Sequence, residues 1–333
     1  MERLPLPARL VRPLGYPRVT TLPEEQQRGM RAFWLDGLFS SVAGAFADPY
    51  YTLYLLSLQA TNGQIGLVNT LNQLIAAAVA VPGAALADRT GRYKRVVLGT
   101  GVVSRLLWIV MLTAPWLAAG SDAVWIVLLG WVGIAGVGAL GNAAWTALSA
   151  DVVPTGLRGG YFASRNIAMQ LAQLVLIPVA GLLINQIGEP GGYQLNLGIA
   201  FVVALVSLYF YSRLPEHRQM PSDRDRFPVR ELLRRSLRMP IFMRFVVAHS
   251  ILRLGVMLGG PFINVYQAQE LGFDAGLIGV VTTVGVLASV IGMRFMGRVH
   301  DRHGITWTMR FGVAVPLITV AWLWVQEPWQ AFV

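Results

Sequence analysis

The chain contains no cysteine. Disulfide cross-links, thiolate nucleophiles and thiolate metal sites are therefore excluded. Charge is scarce too. Only 13% of the 333 residues are Asp, Glu, Lys or Arg, against about 25% in a soluble domain. Acidic residues are the rarer sign, 17 against 27 basic ones. There is no H-E-x-x-H metal pair and no G-x-S-x-G nucleophile turn, so the sequence offers an enzyme little to work with. His300, Asp301, Arg302 and His303 stand close together, but Arg298 and Arg302 beside them disfavour a bound cation. No cofactor is expected. The first thirty residues are polar and Pro-rich and lack the apolar core of a cleaved signal peptide.

What the chain has in quantity is apolar sequence, 55% of its residues, in long runs. A helix needs roughly 20 apolar residues to span the hydrocarbon core of a bilayer. Nine runs approach that length, near 30–58, 65–86, 96–117, 124–147, 161–187, 195–211, 241–266, 277–296 and 305–325. The expected fold class is an all-α polytopic membrane protein with about nine spans, a lipid bilayer being its main solvent. Several runs contain Gly and Pro, which membrane helices tolerate.

The net charge of +10 is explained by where the charges lie. Arginines crowd the segment before the first span and the links 89–95, 158, 213–238 and 298–302. The alternate links hold Asp122, Glu189, Glu270, Asp274 and Glu327 with no Lys or Arg. This alternation is the positive-inside pattern. It predicts a cytoplasmic N-terminus in the plasma (inner) membrane, odd-numbered spans running outward, and no nucleic-acid partner.

The chain also repeats itself. Residues 64–91 align without gaps to 277–304, a shift of 213 positions. Ile65 meets Ile278, Gly66 meets Gly279, Thr70 meets Thr283, and Asp88, Arg89 and Gly91 meet Asp301, Arg302 and Gly304. Parallel repeats of six spans are a transporter layout. The organisation read from this is a cytoplasmic segment 1–29, a six-span half 30–213, a basic linker 214–238 and a partial second half 239–333 with three spans. By the same shift Val333 corresponds to Gly120, so a longer protein lacking here its last three spans is expected.

The link after the second span reads Ala84-Ala85-Leu86-Ala87-Asp88-Arg89-Thr90-Gly91-Arg92-Tyr93-Lys94-Arg95, and its repeat Gly297-Arg298-Val299-His300-Asp301-Arg302-His303-Gly304. Both resemble the signature loop of the major facilitator superfamily, G-x-L-A-D-R-x-G-R-[KR], with Ala84 departing from the usual Gly. The segment 151–160 resembles the family's link between its fourth and fifth helices. The fourth-helix arginine motif is absent, Val132 standing at that place. The fifth-helix antiporter motif survives only as Pro178 and Gly181. The resemblance implies a transporter moving a small solute by alternating access, facilitative or coupled to an ion such as the proton. It also implies a cytoplasmic gate built on Asp88, Arg89, Gly91, Arg92, Gly297, Asp301, Arg302 and Gly304. In that gate Asp301 would face the start of the fifth span at 160–162, with Arg158 or Arg165 as a charge partner. The alternative function is a non-transporting sensor or scaffold on the same fold.

Ionisable groups inside membrane helices are costly and default to functional candidates. Asp36, Asp48, His249 and Arg253 lie on the first and seventh spans, which line the central cavity in the family. Amides and aromatics at helical spacing add Tyr51, Asn142, Asn166, Gln170, Gln173 and Asn264. Arg105, on the third span, is expected to form a structural ion pair with Asp48.

Overall fold

A computed structural model describes residues 22–215, 234–235 and 237–314. Among these the ordered elements are helices. They fall into two compact units, residues 1–219 with 274–287, and residues 220–273 with 288–333.

In the first unit the first expected span is two helices. α1 (Glu24–Ala47) opens after Pro23 with Glu24 and Glu25 in its first turn, where the N-terminal partial positive charge favours carboxylates. It ends at a 3₁₀ turn, Asp48–Tyr50, and the chain resumes as α2 (Tyr51–Ser57). Pro49 is the cause: it has no N–H to donate and its ring crowds the preceding turn.

The next spans are single helices. α3 (Asn62–Thr90) starts with a capping box, in which the Thr61 hydroxyl accepts from the Gln64 N–H at 3.2 Å and Gln64 accepts from the Thr61 N–H at 2.9 Å. It stops at Gly91, whose φ of 58° is the left-handed cap that glycine adopts without strain. α4 (Tyr93–Leu117), α5 (Ser121–Val152), α6 (Arg158–Ile187) and α7 (Gly191–Ser212) follow.

α1 packs mainly on α7 and α6, α5 packs on α4 and α3, and α4 meets α7. α1 and α5 make few close backbone approaches and meet mainly through side chains; the seam between them is called the groove here. The face of the unit at which α1 begins is called the near face here, and its opposite the far face. The near-face core joins Met30, Phe33 and Trp34 of α1 to Leu148 and Val152 of α5, Tyr161 of α6 and Tyr211 of α7. Tyr161 donates to the Met30 carbonyl at 2.7 Å, and the Trp34 indole to the Ser164 hydroxyl at 3.2 Å.

The other helices are α8 (Pro240–Gln269), α9 (Ala275–His303) and α10 (Ile305–Ala314). α9 is 29 residues long, the same length as α3. Its cap is Asp274, whose carboxylate accepts from the Leu277 N–H at 2.7 Å. Thr61 and Asp274 stand 213 positions apart, as do Gly91 and Gly304, the latter also left-handed at φ 78°. Ile65 and Ile278, again 213 apart, are both fully buried.

Six helices among the described residues are long and apolar enough to cross a membrane. They are the second to sixth expected spans and the eighth. The first carries Arg31 and Asp36 and is split at Asp48. α8 covers the seventh, and α10 is described only to Ala314.

Candidate functional site

The groove between α1 and α5 has a polar floor. Along α1 and into the 3₁₀ turn that follows it, Ser40, Gly44 and Asp48 fall four apart and share one face; Ser40 and Asp48 are exposed. On α5 the exposed residues Gly138, Asn142, Thr146 and Ala150 form a matching stripe. A face turned to lipid would carry Leu, Ile or Val, as α6 does at Ile167, Leu171 and Val175. Aromatic pairs bridge the groove at both ends. Tyr51 stacks on Trp131 at 4.7 Å between ring centres toward the far face, and Phe33 meets Trp145 at 5.8 Å toward the near face.

Asp48 sits just inside the far pair, in the helix break. Gly44 makes room for it: a β-carbon there would stand 2.7 Å from a carboxylate oxygen. Among the described residues Asp48 makes no ion pair and its carboxylate accepts no hydrogen bond. The expected partner Arg105 is turned elsewhere. It lies on the seam of α4 with α7, donates to the Ala204 carbonyl at 3.5 Å and interacts electrostatically with Asp36. The pairing of Asp48 with Arg105 is therefore not made. Arg105 is held at the α4–α7 seam and drawn toward Asp36, which lies about three helical turns along α1 from Asp48.

Asp36 is the centre of a buried cluster instead. It is 7% exposed, accepts from the Ser207 hydroxyl at 2.7 Å, and faces the Arg165 guanidinium at 3.9 Å. Arg165 is 6% exposed. Its Nε donates to the Phe33 carbonyl at 3.3 Å, and its guanidinium lies 4.8 Å from the Phe33 ring centre and 5.8 Å from that of Trp145. Any β-carbon at Gly37 would collide with that guanidinium. Arg165, read from sequence as a partner for Asp301, is thus engaged inside the first unit. Arg158 is engaged as well, donating to the Val153 carbonyl at 3.0 Å and to the Ala150 carbonyl. Asp36 therefore belongs to the packing of α1, α6 and α7 more than to the groove.

A tight seam marks the far face. The Tyr50 hydroxyl donates to the Ile177 carbonyl of α6 at 2.6 Å. The start of α9 lies against the same place: a β-carbon on Gly181 would stand 2.6 Å from the Ala275 carbonyl oxygen, and one on Gly279 2.6 Å from the Tyr50 hydroxyl. The Gly276 N–H donates to the Asn185 side chain at 3.3 Å. Backbones approach this closely only where side chains are missing.

A family model described as the Major Facilitator Superfamily matches residues 33–333. The chain belongs to the major facilitator superfamily. No curated protein matches it. Membership makes it an integral membrane protein and a membrane transporter.

In this facilitator Gly91 and Gly304, at corresponding places in the two loops, both take the left-handed turn. Arg89, Arg92 and Arg302 are exposed, and the side chains of Asp88, Gly297 and Asp301 lie outside the described residues. Among the pathway candidates, Asp48, Tyr51 and Asn142 flank the groove, while Asn166, Gln170 and Gln173 follow one face of α6 with Asn166 exposed. His249, Arg253 and Asn264 belong to the second unit. There His249 is exposed and stacks on Phe245 at 5.8 Å, Arg253 is exposed and Asn264 is half-buried. Among the described residues no cluster of His, Asp and Glu could hold a metal ion. Sequence reasoning missed Trp131 and Ser207, and it gave Arg165 a different partner. Trp131 carried a signal, because it falls on the helical face of Gly138 and Asn142.

Proposed function

We propose that the chain moves a small solute across the plasma membrane by alternating access, with the α1–α5 groove as the first unit's share of the route. The observation that carries this reading is the polar face of the groove, with an accessible carboxylate at Asp48 and an amide at Asn142. It contrasts with the apolar residues exposed elsewhere in the unit, such as Leu129 on α5 and Ile167, Leu171 and Val175 on α6. A polar stripe at that depth is costly unless water or solute meets it.

The arginine-rich links support a cytoplasmic near face and N-terminus. The signature loops would then close the cytoplasmic side, and the Tyr50–Gly181–Gly279 seam would close the outer side when the near side is open. Transport is facilitative or coupled to an ion, the proton included. Asn166, Gln170 and Gln173 extend the lining along α6, and His249, Arg253 and Asn264 are the second unit's candidates.

Uptake of a mixed solute library into proteoliposomes holding the chain tests this. Saturable uptake of at least one solute is expected, reduced at least tenfold by Asn142→Trp, which fills the groove. Uptake unaffected by Asn142→Trp would show that the groove is not the route.

A further inference from the structure

The far end of the groove holds unspent hydrogen-bonding capacity. The Asp48 carboxylate and the Tyr51 hydroxyl, one helical turn apart, interact electrostatically, yet neither makes a hydrogen bond among the described residues. Buried or recessed polar groups are ordinarily satisfied. An accessible carboxylate on a membrane-spanning segment, with no cation beside it among the described residues, calls for a counter-charge. Its surroundings say what kind. Trp131 is half-buried and stacked on Tyr51, one helical turn from Asp48, so the aromatic pair lies at the same end of the groove as the carboxylate. Aromatic faces attract cations and also cover apolar groups. Gly44 leaves the room that the carboxylate occupies against the helix. A single carboxylate offers too few oxygens for a calcium-type ion, which takes six to eight.

We infer that Asp48, Tyr51 and Trp131 form a recognition site for the ammonium group of an organic amine, and that the solute carried is an organic cation. The ammonium N–H groups donate to Asp48 and to the Tyr51 oxygen. The carbon skeleton lies along Trp131. The neighbouring cations do not compete, because Arg105 and Arg165 are both drawn to Asp36. The cluster at Asp36 thus keeps the unit's guanidinium groups away from Asp48. This inference rests on the reading of the groove as a transport route, and binding tests it separately from transport.

The probe is 2-phenylethylamine, protonated at neutral pH, set against the neutral 2-phenylethanol and the anionic 3-phenylpropionate. Binding to the detergent-solubilised chain is followed by quenching of tryptophan fluorescence and by calorimetry. The amine is expected to bind at least tenfold more tightly than either analogue. Asp48→Asn should abolish that preference, Asp48→Glu should keep most of it, and Trp131→Leu should weaken binding several-fold. Arg105→Gln serves as a folding-matched control that leaves the preference in place. Equal binding of the three probes, preference for the carboxylate, or a preference that survives Asp48→Asn would each overturn the inference. Asp48-dependent binding without movement into proteoliposomes would uphold the site and refute the transport reading. Saturable uptake of a neutral solute, unaffected by Asp48→Asn, would do the reverse.

Discussion

At the residue scale, the energetics of the first unit turn on one carboxylate serving two guanidinium groups. Asp36 faces Arg165 at 3.9 Å and interacts with Arg105 at longer range, while the Arg105 Nε and the Tyr211 hydroxyl have no partner among the described residues. Removing one member of a buried pair strands the other and costs roughly 3–5 kcal/mol. Arg165→Gln should therefore lower stability by about that much, read as a drop in thermal unfolding temperature in detergent. Asp36→Asn combined with Arg165→Gln should be less damaging than the two losses added. Strict additivity would show that the two groups do not interact. The opposite is expected of Asp48 and Arg105, which share no partner: distant, independent sites add. A coupling above ~1 kcal/mol in that second cycle would contradict the geometry. Legibility at this scale was uneven. That Asp36 and Asp48 are unusual could be read from any hydropathy pattern. Which arginine meets which aspartate could not. That depends on Gly37 clearing a path for Arg165 across α1, and on Arg105 lying between α4 and α7.

At the element scale, the break at Pro49 and the seam at Gly181 are connected through Tyr50. The proline ends α1, the 3₁₀ turn re-aims the chain, and the residue after the proline reaches the Ile177 carbonyl. Pro178 stands next to that carbonyl, and a helical proline disrupts the hydrogen bonding of its own turn. Replacing Gly279 by Leu would push a branched side chain into the Tyr50 hydroxyl. The start of α9 should then separate from α6, and cysteines at Asn185 and Gly276 should cross-link at least several-fold less than in the parent. Unchanged cross-linking would mean that the seam does not depend on the glycine. Tyr50→Phe removes one neutral hydrogen bond, worth about 1 kcal/mol, and should loosen the seam without unfolding the unit. The second to sixth spans were readable from their apolar runs within a few residues of their ends. The division of the first span was not, because a membrane helix can often carry a proline unbroken and neighbouring contacts decide the outcome.

At the scale of the whole molecule, the proposed route is a polar face shared by α1 and α5, while α3, α4, α6 and α7 expose apolar residues. Charge distribution alone gave the proposed orientation: cysteines at Asn62 and Gly120 should react with an impermeant reagent from outside intact cells, and one at Thr90 should not. Reaction at Thr90 from outside would reverse the proposed sidedness. The family was legible because two loops 213 residues apart spell the same turn. The solute was not, since it is read by groups that meet only after folding, such as Asp48 on the first span and Trp131 on the fourth. The most direct test of the route uses the absence of native cysteine. Single cysteines at Ser40 and Asn142 in the groove, and at Leu129 and Val175 on exposed apolar faces, are exposed to a water-soluble maleimide in sealed membranes of each orientation. The account predicts that Ser40→Cys and Asn142→Cys react from both sides, whereas Leu129→Cys and Val175→Cys react at least tenfold more slowly. Equal reactivity at all four positions, or no reaction at Asn142→Cys from either side, would contradict it.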